Sequence, residues 1–336
     1  MKGSEVYIRA ISYYLPEEIV TNEDVGRLFP EWTAAKVAAK VGILQRHHSA
    51  EGETSSDMAY NAAEKLFTEH CIDRSEIDFI ILCTQSPDYF LPTSACILQN
   101  RLGLNKETGA FDLNLGCSGF VYGLAVAKGL IFAGVAQNVL LLTAETYSKY
   151  LHPQDKGNLT LFGDAAAATL ISSEGKGRID EFSLGTDGSG YDKLIVRNGA
   201  SRNRKPENVT TRDEEGNLIA PDNLFMNGAG IFSFTMKWVP KLVEDLLIKN
   251  KLVKEDIDLF VFHQANKYML ENLVKKIKVD PEKFFYYLED VGNTVSSTIP
   301  IALYEANKAG KIRNGSKVIL AGFGVGLSWA GVVLQF

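Results

Sequence analysis

The sequence predicts an α/β protein made of two duplicated halves, and three observations carry that prediction. The first is an internal repeat. Leu66 to Ser86 reads LFTEHCIDRSEIDFIILCTQS, and Leu246 to Asn266 reads LLIKNKLVKEDIDLFVFHQAN, without a gap between them. Each copy is the end of an amphipathic helix, an acidic turn, and Ile-Asp leading into an apolar strand. The second observation is that the match recurs downstream. Asn138 to Leu142 aligns with Lys317 to Ala321, and the strand ending at Gly116-Cys117 parallels Tyr287 to Asn293. The third is the continuously apolar character of strands such as Phe79-Ile80-Ile81-Leu82, which suits a parallel sheet covered on both faces. Two copies are too few for a solenoid. The halves, 1–174 and 175–336, are expected to pack as one unit with pseudo-twofold symmetry.

Taken in order, the first half carries strands near Glu5–Tyr14, Ile77–Thr84, Gly109–Leu115, Asn138–Ala144 and Ala165–Ser172. The second half carries them near Arg178–Thr186, Ile257–His263, Phe284–Tyr287, Ser316–Gly322 and Ser328–Phe336. A helical pattern rich in Ala, Gly and Leu runs from Phe120 to Phe132. The polar stretch Asn198–Gly216 has no periodicity and reads as an exposed loop.

Composition limits the functional classes. The 336 residues suffice for a large core, and 46% hydrophobic with 23% charged residues is the balance of an ordinary soluble globule. A net charge of −6 argues against a general affinity for nucleic acid. Cys71, Cys83, Cys96 and Cys117 form no Cys-x-x-Cys pair, so neither a zinc site nor a disulfide scaffold is expected. The N-terminal residues lack the apolar core of a signal peptide, and no apolar run is long enough to span a membrane. A cytoplasmic, reduced protein is the expectation.

The chemistry gathers at strand ends. The strand Ala110 to Leu115 runs into Gly116-Cys117-Ser118-Gly119, where a helix opens. Free backbone N–H groups and the positive helix end converge there, favouring a nucleophilic thiolate and offering donors to an oxyanion formed at the sulfur. A merely buried, structural cysteine is the competing reading. Cys117 and Asn293 occupy equivalent junctions of the repeat, and His263 follows the wholly apolar strand Leu259 to Phe262. Ligands of such sheets bind at carboxyl ends of strands. A core histidine and an Asn helix cap are the plainer readings of His263 and Asn293. His47, His48, His70 and His152 read as surface residues, and the pair His47-His48 is a poor metal site because adjacent side chains diverge.

Gly322-Phe323-Gly324-Val325-Gly326 is no dinucleotide fingerprint, because a strand rather than a helix follows it. It reads as a tight turn that lets backbone approach a reacting group. Nor is Gly116 to Gly119 a hydrolase nucleophile elbow, since Leu115 occupies the required glycine position.

Together these residues resemble β-ketoacyl-acyl carrier protein synthase III. The resemblance rests on Gly-Cys117-Ser-Gly-Phe, His263-Gln264-Ala265-Asn266, Gly292-Asn293-Thr294 and the terminal Gly-Phe-Gly-Val-Gly turn. Thr160 to Ala167, and Lys40-Val41-Gly42-Ile43 with Arg46-His47, are similar as well. The resemblance implies a thiolase-like fold, two duplicated halves in a five-layered α-β-α-β-α core, and a homodimer. It implies that Cys117 is acylated by an acyl thioester. A malonyl thioester then loses carbon dioxide, and its enolate is held by His263 and Asn293. Backbone N–H groups of Cys117 and Val325 would form the second oxyanion hole. Asn266, Gly228, Phe232, Leu91, Lys40 and Lys156 would contact substrate or its pantetheine arm, and Lys267, Lys275 and Lys276 would dock the acidic carrier protein. No metal or resident cofactor is implied; coenzyme A or phosphopantetheine thioesters enter as substrates.

Several positions depart from the family pattern. Val325 stands where the housekeeping enzymes usually carry glycine. Lys40 and Lys156 replace arginines at the nucleotide end of coenzyme A, which loses planar, bidentate contacts, and Tyr268 replaces an arginine of the docking helix. Trp32 receives no role. The remaining alternatives are a thiolase-fold acyltransferase or head-to-head condensing enzyme that works without malonyl decarboxylation, and a non-catalytic binding partner. The presence of Cys117, His263 and Asn293 disfavours the last.

Overall fold

A computed structural model describes residues 5–212 and 218–336. Nine strands form one mixed sheet: β1 (Tyr7–Tyr14), β2 (Phe79–Cys83), β3 (Gly109–Leu113), β4 (Asn138–Glu145), β5 (Ala165–Ser172), β6 (Gly177–Thr186), β7 (Leu259–Phe262), β8 (Lys317–Gly324) and β9 (Ser328–Gln335). Their spatial order is β7-β8-β9-β6-β1-β5-β4-β2-β3. Read outward from the centre, β1-β5-β4-β2 in one half corresponds to β6-β9-β8-β7 in the other, which is the duplication seen in the sequence. The halves are joined where β1 meets β6 antiparallel, at Tyr7 opposite Arg178 and Ile8 opposite Gly177. Next to one edge of the sheet, β2 pairs parallel with both β3 and β4, Leu82 facing Asp112 and Leu142, and all but the first of its residues are buried.

Helices complete five layers. Ser55–His70 and Ser94–Arg101 cover the outer face of the first half, burying Met58, Leu66 and Leu98 against Ile80, Leu82 and Leu140. Gly228–Asn250 and Lys267–Ile277 cover the second half. Between the halves lie Gly119–Phe132 and Thr298–Lys308, each touching strands of both. Sequence explains the close approach of these inner helices. A Cβ on Gly123 would lie 2.6 Å from Leu141 Cδ1, and the small residues Ala165 and Ala167 of β5 let Ile301 pack directly on the sheet. Both inner helices therefore begin at the sheet's carboxyl ends, where the polar junctions lie.

One expected strand is not formed. Phe284–Tyr287, the counterpart of β3, is reduced to a single bridge between Phe284 and Phe260. Beyond it the fully buried Gln264 side chain replaces the ladder, accepting from the Tyr287 N–H at 2.8 Å and donating to the carbonyls of Phe262 and Phe285. Within the expected loop Asn198–Gly216, residues 199–212 are exposed, and 213–216 lie outside the described residues. His47 and His48 are half-buried rather than on the surface: they lie in the short strand Gln45–His48 paired with Glu18–Thr21.

Candidate active site

Cys117 sits four residues past the end of β3 and two before the helix Gly119–Phe132, with only 4% of its surface exposed. The glycine turn between β8 and β9 closes over it. A Cβ on Gly324 would lie 2.7 Å from Cys117 Sγ, and one on Gly322 would lie 2.6 Å from the Cys117 carbonyl oxygen. Only glycine permits this approach. The turn brings the Val325 N–H to the sulfur, which also receives Cys117's own N–H. Gly326 takes the left-handed conformation, φ 133°, while Val325 stays outside that region, which β-branched residues strongly disfavour.

The expectation of a stabilised thiolate is corrected here. Burial pushes the Cys117 thiol up to about 12, and the two N–H donors only partly offset it, while the buried Glu145 carboxyl adds to the rise. Desolvation of the charged sulfur outweighs the helix end in this closed site.

His263 leaves the end of β7 with its N–H donated to the Ala321 carbonyl at 2.8 Å. Its ring is 2% exposed, and Nδ1 lies 2.7 Å from Thr298 Oγ1. Burial holds its pKa down to about 3, against a smaller upward pull from the Val295 carbonyl. The imidazole is neutral at any physiological pH.

Asn293 is held by its backbone and by its side chain. Its N–H donates to the Leu161 carbonyl at 2.8 Å, and its carbonyl accepts from the Gly163 N–H at 3.1 Å. Its Oδ1 accepts from the Val295 N–H at 3.0 Å, which leaves the Nδ2 donors free. Val295 achieves this at φ 54°, a conformation that costs a β-branched residue roughly 1–3 kcal/mol. Behind this loop the fully buried Arg46 donates to the Thr160 carbonyl and Asn22 Oδ1, both at 2.8 Å. Gly292, at φ 70°, leaves room for Arg46.

Cys117, His263, Asn293, Phe323 and Gly324 line one small cavity of about 80 Å³. Asn266 and Gly228 line it too. Asn266 also caps the following helix, its Oδ1 accepting from the Met269 N–H at 2.8 Å. Met226 and Gly228 are shared with an outer groove of about 980 Å³, which holds Trp32, Lys40 and Lys156. Leu194 is shared with a second cavity of about 780 Å³, lined by Gln85, Asn114, Tyr147, Tyr150 and Val325 among others. The small cavity of Cys117 thus shares wall residues with both larger spaces.

The remaining expected residues are scattered. Lys40 and Lys156 hold their amines 4.8 and 5.4 Å from the Trp32 ring centroid, and Lys156 pairs with Glu31. Phe232 stacks on Tyr268 and is not among the residues lining the small cavity, and Leu91 is 81% exposed beside Phe90, which does line the second cavity. Lys267 borders a surface cleft with Glu289 and Asp290, while Lys275 and Lys276 lie in the last turn of its helix. Sequence reasoning missed Trp32, Thr298 and Glu145. Glu145 carried a usable signal, since it is a charged residue closing the apolar strand β4, much as His263 is a polar one directly following the apolar strand β7.

Comparison with known proteins gives one answer. The model of 3-oxoacyl-[acyl-carrier-protein] synthase III matches residues 111–188, and that of its C-terminal part matches residues 247–336. The β-ketoacyl-[acyl-carrier-protein] synthase III of Clostridium acetobutylicum is 37% identical, over 99% of both chains. That of Fusobacterium nucleatum is 35% identical over 98% of both. A crystal structure of a 3-oxoacyl-(acyl-carrier-protein) synthase III superposes with a TM-score of 0.96 at 48% identity, covering 99% of this chain and 100% of the other. Among the described residues no helix is long and apolar enough to cross a membrane.

Proposed function

Because the chain belongs to the β-ketoacyl-[acyl-carrier-protein] synthase III family, we propose that Cys117 carries the acyl group while His263 and Asn293 stabilise the enolate. The protein is a condensing acyltransferase of fatty acid biosynthesis, joining an acyl thioester to malonyl-acyl carrier protein with loss of carbon dioxide. The assignment of roles rests on one observation: thiol, imidazole and amide line the same small cavity, and the Val325 N–H reaches the sulfur.

In the first half-reaction the thioester carbonyl oxygen takes donors from the N–H groups of Cys117 and Val325. Sulfur attacks the carbonyl carbon, the bond to the departing thiol breaks, and the Cys117 proton leaves with that thiol. In the second, the malonyl carboxylate departs as carbon dioxide and its electron pair moves onto the thioester as an enolate. The Asn293 amide and the His263 ring donate to the enolate oxygen. The enolate carbon attacks the acyl carbon, and Cys117 is released and reprotonated. The groove with Trp32, Lys40 and Lys156 receives the polar end of the donor, Gly228 and Asn266 flank the pantetheine arm, and the cavity past Val325 receives the acyl chain. The 1–174 half supplies the nucleophile and the 175–336 half the enolate donors. Lys267, Lys275 and Lys276 form the carrier-docking face of a cytoplasmic homodimer, and Leu91 and Phe232 act at the edges of the substrate path. No resident cofactor takes part.

Incubating the purified protein with acyl thioesters should add one acyl mass to the peptide containing Cys117, and a malonyl thioester should release carbon dioxide. Acylation of Cys117→Ala as readily as of the wild type would refute the assignment.

A further inference from the structure

The cavity past Val325 is not a plain hydrocarbon pocket. Leu194, Val196 and Leu224 supply apolar walls, and Gln85, Asn114 and Tyr147 add hydrogen-bonding side chains. The Gln85 amide also lies beside the nucleophile's turn: a Cβ on Gly116, the residue before Cys117, would lie 2.5 Å from its Oε1. Backbone and side chain of Gln85 are both pinned. Its N–H donates to the Glu145 carboxyl at 3.0 Å, and its carbonyl accepts from the Tyr150 hydroxyl at 3.1 Å. Its Oε1 accepts from the Tyr147 hydroxyl at 2.6 Å, and its Nε2 donates to Asn114 Oδ1 at 3.2 Å. Tyr147 is only 3% exposed, so the anchor of this chain of bonds is part of the core.

The cavity holds a surplus of donors. The Tyr147 hydroxyl has one proton, and the side-chain amides of Gln85 and Asn114 have two each. The two bonds among them use two of these protons, so three remain, and turning either amide end for end does not lower that number. Among the described residues no protein acceptor takes them up. An alkyl chain laid in the cavity strips water from these donors and offers no acceptor, which costs more than a formed bond is worth. A carbonyl oxygen on the chain accepts from them. A carboxylate would share the cavity with Asp88, and a hydroxyl brings a further donor to a site already rich in them.

We propose that the acyl site selects a primer whose chain carries a carbonyl oxygen, received by the side-chain amides of Gln85 and Asn114. This rests on the placement of the acyl chain past Val325 and names the class of acyl thioester that fits there.

The test compares acylation of Cys117 by hexanoyl and by 3-, 4- and 5-oxohexanoyl thioesters of one carrier thiol. Each rate is divided by the same thioester's rate with a small free thiol, which removes intrinsic reactivity. Wild type should prefer one oxo isomer over hexanoyl by about tenfold, near the upper value of an uncharged hydrogen bond. Asn114→Leu and Gln85→Leu remove amide donors while keeping bulk, and each should reduce that ratio to about two or less. Asn114 is exposed, so its variant decides should Gln85→Leu not fold. A wild type that prefers no oxo isomer, or a preference undiminished in Asn114→Leu, overturns the inference while leaving the acyltransferase reading intact. Failure of all four thioesters to acylate Cys117 refutes that reading, and the inference with it.

Discussion

The Val295 N–H donates to Oδ1 of Asn293 at 3.0 Å, and this single bond determines which end of the amide meets substrate. Asn293→Asp separates the amide's two tasks. An aspartate still accepts from the Val295 N–H, so the turn is kept, while burial of an unpaired carboxylate at this 6% exposed position should lower the melting temperature at neutral pH. It has no proton to donate and places negative charge beside the enolate. Carbon dioxide release should fall by at least about a hundredfold while Cys117 acylation persists. Equal decarboxylation by Asn293→Asp and wild type would reduce Asn293 to a structural role.

A second prediction follows from the burial of Cys117. With the thiol pushed up to about 12, the thiolate fraction is small at neutral pH and still increasing well above it. Alkylation by neutral iodoacetamide should accelerate about tenfold per pH unit from about pH 7 to about pH 10, without a plateau. A plateau near neutrality would mean that the Val325 and Cys117 N–H groups stabilise the thiolate more than burial destabilises it.

These two residues show what the sequence made legible. The positions of Cys117, His263 and Asn293 follow from a repeat that places polar residues at equivalent strand ends, and the two halves of the sheet follow from apolar runs. Local pattern does not report depth. Neighbours in the chain point to a thiolate at Cys117, whereas its titration is set by burial, to which distant segments such as Gly324, more than two hundred residues away, contribute. Arg46 and Thr298 were equally hidden. Each acts through carbonyls contributed by distant segments or by a strained turn, and neither carbonyl has a signature in sequence. The strand expected at Phe284–Tyr287 failed for a similar reason, because the Gln264 side chain takes up the Tyr287 N–H that a ladder would otherwise use.

Glu145 provides a third prediction. It is fully buried at the end of β4, accepting from the Gln85 N–H at 3.0 Å and the Ser86 hydroxyl at 2.9 Å, and burial raises its pKa from 4.5 to about 8. A raised carboxyl stabilises the fold at low pH, and that contribution disappears as pH rises from 4.5 through about 8. Glu145→Gln imitates the protonated acid at every pH. Its melting temperature should match wild type near pH 5 and exceed it near pH 9. Because the ionised carboxyl also raises Cys117, the variant should be alkylated faster at high pH. A melting difference that does not change with pH would show that Glu145 does not titrate with unfolding.

The last prediction concerns the acyl chain. Val325 combines a backbone N–H aimed at Cys117 with a side chain that lines the cavity of about 780 Å³ beyond it. That side chain presses on the opposite wall: a Cβ on Gly116 would lie 2.7 Å from Val325 Cγ1 and 2.5 Å from Gln85 Oε1. The isopropyl group therefore narrows the path from the sulfur toward Tyr147 and Tyr150, and a glycine there would widen it without moving the N–H. One or two methylenes in an apolar pocket alter discrimination by roughly 1–3 kcal/mol, enough to reorder substrates and too little to abolish turnover. Val325→Gly should retain acylation by its best substrate yet shift the preferred chain in a series of straight and branched acyl thioesters, with bulkier groups gaining most. The glycine also loosens the turn, so a uniform loss across the series is the signature of a displaced N–H and not of a wider pocket. Identical profiles for the two proteins would place the acyl chain elsewhere than past Val325.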